Sequence, residues 1–119
     1  MCIRDRHKAN AWLLNTGWVG AGATTGGKRC PLKYTRKIVD AVHSGELAKA
    51  EFTNFDVFNL SIPTAIEGVP SEILDPRQAW KDKEGFNKEL RKLAGMFTKA
   101  FQLYESDVEE KVKLAGPRI

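Results

Sequence analysis

The sequence contains no long apolar run. No stretch approaches the roughly 18 consecutive apolar residues of a membrane-spanning helix, so a helical membrane protein is excluded and no membrane partner is expected. Cysteine is scarce: Cys2 and Cys30 cannot build a disulfide framework, and nothing points to secretion. The first six residues lack the apolar core of a signal peptide. Histidine is equally sparse. His7 and His43 lie far apart with no cysteine or histidine at ligand spacing, so no metal site is expected in this segment. There is no local Ser/His/Asp arrangement and no partner to activate Cys30 as a nucleophile. No recognisable nucleic-acid-binding module is present, which argues against a nucleic-acid partner.

What is present is ordinary globular composition: 119 residues, 42% hydrophobic and 29% charged, with a net charge of +4. One domain is expected, and wholesale disorder is not. The charge is unevenly placed. Residues 1–37 carry eight basic residues against Asp5 alone, whereas residues 38–119 carry 11 basic and 14 acidic residues. The dense cluster is Lys28, Arg29, Lys33, Arg36 and Lys37, directly after a glycine-rich stretch. Such a cluster suits an anion, or equally a solvated loop and helix edge. Residues 1–6 read as a non-native leader, with native sequence from about His7.

The local signals alternate. Residues 11–16 form a short apolar run with the character of a buried strand. Five glycines between Gly17 and Gly27 then make a loop. Pro31 opposes a helix running straight out of that loop. Thr35 to Val42 reads as a helix, with Ile38, Val39 and Val42 on one face and Gly45 placed for a left-handed end. Residues 50–53 and 57–62 look extended, and Pro63 closes the second run. Asp75 followed by Pro76 reads as a helix start, with Asp75 as N-cap. Phe86, Leu90, Leu93, Ala94, Phe97, Phe101 and Tyr104 form one stripe of a long helix beginning near Asp82, read as core packing. A short helix over 107–114 ends at Gly116-Pro117.

Gly22 to Lys28 matches G-x-x-x-x-G-K, but Arg29 stands where a phosphate loop needs Ser or Thr for Mg²⁺. A phosphate loop also runs directly into a helix, which Pro31 opposes. The string is therefore read as a coincidence, leaving a glycine-rich loop that feeds Lys28 and Arg29. An arginine there offers a planar, permanently charged fork.

The motifs accumulate in one order. Trp12-Leu13-Leu14-Asn15-Thr16-Gly17-Trp18 precedes Gly27-Lys28-Arg29 and Thr35-Arg36. Phe58-Asn59-Leu60, Ile62-Pro63-Thr64, Ile73-Leu74-Asp75-Pro76-Arg77 and Ala115-Gly116-Pro117 follow. This resembles the C-terminal end of ATP-dependent phosphoenolpyruvate carboxykinase over residues 7–119. The resemblance implies a mixed α/β fold: a partial C-terminal domain of a phosphoenolpyruvate carboxykinase-like fold, with few strands followed by packed helices. It implies a cytoplasmic enzyme of gluconeogenesis that turns oxaloacetate and ATP into phosphoenolpyruvate, CO₂ and ADP. Mg and Mn serve the full-length enzyme, with their ligands and the oxaloacetate site outside this segment, so the segment alone is expected to be inactive. By the same resemblance Arg29, Cys30 and Thr35 contact ATP. Thr35 is equally suited to cap the helix that follows. Two alternatives remain open on sequence: a nucleotide-binding module without its own chemistry, and a helical interaction domain using the 86–104 stripe.

Overall fold

In the computed structural model, residues 3–119 are described; Met1 and Cys2, at the start of the expected leader, lie outside the described residues. The elements follow the punctuation of the chain. A single helical turn, α1 (Ile3–Arg6), is exposed throughout. The run at 11–16 is not a strand: it has no ladder partner and is exposed, Leu13 at 92%. Its tryptophan instead stacks on Phe52, with ring centroids 6.1 Å apart.

The glycine-rich stretch closes a small hairpin. Strands β1 (Trp18–Val19) and β2 (Lys28–Arg29) pair antiparallel, with Trp18 opposite Arg29 and Val19 opposite Lys28. Gly26 has φ +96°, open to glycine but costly for a side chain. At Gly27 a Cβ would collide with the Ala21 carbonyl oxygen. The loop therefore needs glycine where it turns.

Helix α2 (Leu32–Ser44) starts immediately after Pro31, earlier than the sequence suggested. Proline has no N–H to lose at a helix start, and Pro31 sits at the N-cap with φ −59° and ψ 132°. Its carbonyl accepts the N–H groups of Tyr34 and Thr35 at 3.0 and 3.4 Å. Thr35 thus lies inside the first turn and is not a cap. The helix ends as expected at Gly45, left-handed with φ 81°, whose N–H donates to the Val42 carbonyl. A short helix α3 (Glu46–Lys49) follows. The first core joins Ala41 and Leu47 to Ile66 and Val69, with Ile38, Val42, Ile73 and Leu74 packed around them. Val39, expected on the inner face, is exposed, and Ala41 takes the buried position.

Strands β3 (Phe52–Phe55) and β4 (Leu60–Pro63) form a second antiparallel pair, joined by a 3₁₀ turn over Asp56–Phe58 with Asn59 left-handed. Two short helices, α4 (Ser71–Leu74) and α5 (Pro76–Ala79), lead to the long helix α6 (Lys83–Phe101). Both expected caps form: the Asp75 carboxylate accepts the Arg77 N–H at 3.0 Å, and Asp82 accepts that of Gly85 at 2.9 Å. A second, aromatic core gathers Phe55, Phe58, Trp80, Phe86 and Phe97 in stacked and edge contacts of 5.7 to 6.5 Å. The expected stripe is enclosed only in part, with Leu93 already 45% exposed. Phe86 and Ala94 are buried, whereas Phe97 and Tyr104 are 55% and 61% exposed. After a 3₁₀ turn, α7 (Glu110–Leu114) completes the chain.

The observed fold is mixed α/β, as expected, with two separate two-stranded sheets among the described residues. The expected order is only partly met: α2 and α3 lie between the two hairpins, so helices interleave with strands as well as following them.

Candidate functional site

The hairpin and the start of α2 bring the three expected nucleotide residues into sequence-local proximity. The Asn15 side-chain oxygen accepts the Gly17 N–H at 2.9 Å and turns the chain into β1. The Cys30 N–H donates to the Gly17 carbonyl at 3.0 Å and extends the hairpin's pairing by one bond. The Cys30 amide is therefore already used within the hairpin.

Arg29 projects from β2 over the Trp18 ring, its guanidinium carbon 5.8 Å from the ring centroid. That distance is within cation–π range. Both side chains are exposed, and no carboxylate or hydrogen-bond acceptor pairs with Arg29 among the described residues. Cys30 is half-buried as a free thiol. The Thr35 hydroxyl points at the Cys30 sulfur, 4.0 Å away. That is a weak contact, so the hydroxyl keeps most of its capacity for another partner. Within the same first turn, the Lys33 ammonium stands 4.8 Å from the centre of the Tyr34 ring. The site is thus an open, cationic edge that can hold an anionic or flat group through Arg29 and donate a hydrogen bond through Thr35.

The near-match to a phosphate loop is a different object. Gly22 to Lys28 closes the hairpin and enters strand β2, so the loop runs into a strand and not into a helix. The sequence signal that could have revealed the hairpin was present. Trp18-Val19 and Lys28-Arg29 flank a turn rich in glycine, but residues 17–27 were expected as a loop, so both short strands and their pairing were missed.

A second arginine is paired with a carboxylate within the fold. Arg77 lies 5.0 Å from the Phe55 ring centre, and its Nε donates to both oxygens of Asp75 at 3.0 and 3.2 Å. Burial alone would raise the Asp75 pKa. The Arg77 side-chain and backbone hydrogen bonds, the Arg77 charge and Gln78 together outweigh it and hold the carboxyl below its ordinary value. The bond to Asp75 outweighs burial at Arg77 and raises its pKa. Among the described residues, no three His, Cys, Asp or Glu side chains converge as a metal site. No helix among them is long and apolar enough to cross a membrane.

Residues 3–72 match the family described as phosphoenolpyruvate carboxykinase, and the chain belongs to that family. Within it, the similar curated relatives carry the name phosphoenolpyruvate carboxykinase (ATP). The chain is 61% identical over 113 residues to the relative from Emericella nidulans, a match covering 95% of this chain and 19% of the relative. It is 58% identical to that from Neurospora crassa over 114 residues, again 95% and 19%. The relative from Candida albicans is also 58% identical, over 115 residues, 95% of this chain and 21% of its own. The chain spans about a fifth of the length of the curated relatives it matches.

Proposed function

We propose that residues 7–119 are the C-terminal part of the nucleotide-binding domain of an ATP-dependent phosphoenolpyruvate carboxykinase, a cytoplasmic lyase of gluconeogenesis. The reaction joins a decarboxylation to a phosphoryl transfer. Oxaloacetate loses CO₂, and the resulting enolate oxygen takes the γ-phosphoryl group of ATP, leaving phosphoenolpyruvate and ADP. The observation that carries this reading is the 61% identity extending over 95% of the chain.

This segment's share is contact with the nucleotide. Arg29 supplies a charged, planar group with no carboxylate partner among the described residues. Thr35 supplies a hydroxyl held only weakly by Cys30. The Cys30 amide is spent on Gly17, so Cys30 lies beside the nucleotide through its carbonyl and side chain, not its N–H. Mg and Mn belong to the longer enzyme. On this reading the oxaloacetate site belongs there too. The chain alone is inactive on this reading.

The test is steady-state kinetics in a full-length phosphoenolpyruvate carboxykinase carrying this sequence. Loss of one charge-assisted hydrogen bond weakens binding about tenfold or more. Arg29→Ala is expected to raise the KM for ATP by about that factor, and Thr35→Val by about threefold, with the KM for oxaloacetate unchanged. An unchanged KM for ATP in both variants refutes the assignment.

A further inference from the structure

The geometry points to Trp18 as a positioning residue for the nucleotide, acting through Arg29 without touching the ligand. This inference rests on the nucleotide reading of Arg29 given above. Trp18 and Arg29 are directly opposite in the β1–β2 ladder, and the Cys30–Gly17 backbone bond holds that register one residue further on. The guanidinium lies against the indole at 5.8 Å. An exposed arginine otherwise samples many rotamers, and fixing it on binding costs entropy. Stacking on a rigid ring with only two rotatable bonds removes part of that cost before the ligand arrives. It also leaves the guanidinium's edge, where the N–H donors are, available for oxygen atoms. The hairpin is otherwise little anchored. Trp18 is 48% exposed and belongs to neither core, so burial does not account for a residue this large at this position.

A cation–π contact at an exposed site corresponds to a change of about two- to fivefold in an equilibrium constant. In the full-length enzyme carrying this sequence, Trp18→Leu is expected to raise the KM for ATP about threefold. The kcat and the KM for oxaloacetate should not change. Trp18→Phe, which keeps a ring, should restore most of the loss. In an Arg29→Ala background, Trp18→Leu should have no further effect, because the group it positions is gone. If Trp18→Leu fails to fold, Trp18→Phe carries the same cycle, with an effect below twofold that again vanishes without Arg29. An equal effect of the Trp18 substitution with and without Arg29 overturns the proposal, as does a fall in kcat instead of a rise in KM. If Arg29→Ala raises the KM for ATP and Trp18→Leu leaves it unchanged, the positioning role fails while the nucleotide reading stands. If Arg29→Ala itself has no effect, both fail.

Discussion

Two arginines of this chain lie over aromatic rings, and only one of them also meets a carboxylate. Arg77 stacks on Phe55 and is closed by Asp75, which holds it through two oxygens. Arg29 lies over Trp18 and meets no carboxylate among the described residues. The rings differ as well: Phe55 is buried in the aromatic core, whereas Trp18 is half exposed at a hairpin edge. An arginine paired with a neighbouring carboxylate works for the fold. One that is oriented but unsatisfied is prepared to bind. The contrast therefore separates stability from ligand affinity, and each arm can be perturbed independently.

The largest expected effect is on the rings. Phe55→Ala should destabilise the chain by about 3 kcal/mol, because it removes a buried phenyl group and leaves a cavity among Phe58, Phe86 and Arg77. Trp18→Leu should change stability by less than about 0.5 kcal/mol, as expected of an exposed site. Denaturant unfolding of both variants checks this; comparable losses would erase the distinction.

Next come the arginines. Arg77→Ala should cost about 1 to 2 kcal/mol, from a partly exposed ion pair and the ring contact together. It should leave the KM for ATP of the full-length enzyme unchanged, opposite to the pattern expected for Arg29→Ala. Thermal melts beside kinetics show whether the two effects separate.

A smaller effect is pH-dependent. The folded Asp75 pKa lies below its ordinary value of 3.8. Its contribution is therefore fully present above that value and is lost as pH falls through the lowered folded pKa. The stability advantage of the wild-type chain over Asp75→Asn should be constant near neutrality and shrink as the solution is acidified below pH 3.8. An advantage that persists unchanged into strong acid would place its origin outside this ionisation. The smallest expected effect is Arg29→Lys, which keeps the charge and loses the planar fork. It should raise the KM for ATP only about threefold.

Much of the backbone punctuation was legible because it depends on neighbours in sequence. Gly45, Asp75 and Asp82 end or start helices where local rules require, since each acts within one turn. The failures involve partners that sequence does not name. Residues 11–16 have a strand's composition but no strand to pair with among the described residues. The α6 stripe is periodic throughout, yet periodicity reports a face and not what covers it, so Phe97 and Tyr104 remain exposed. Thr35 was readable as a cap only if the helix began after it. Pro31 instead starts the helix at Leu32, and the threonine turns toward Cys30. Of the candidate site, Arg29, Cys30 and Thr35 came from the family resemblance. The pairing of Trp18 with Arg29 required the hairpin register.

The last hydrogen bond of the chain has its own consequence. The Arg118 N–H donates to the Val57 carbonyl at 2.7 Å, tying the C-terminal residues to the turn between β3 and β4. The contact joins points far apart in sequence. It is made by main-chain atoms, so most side-chain changes at residue 118 leave it intact, whereas Arg118→Pro abolishes it. The clasp thus tolerates sequence drift but not a shift in register between the tail and the turn.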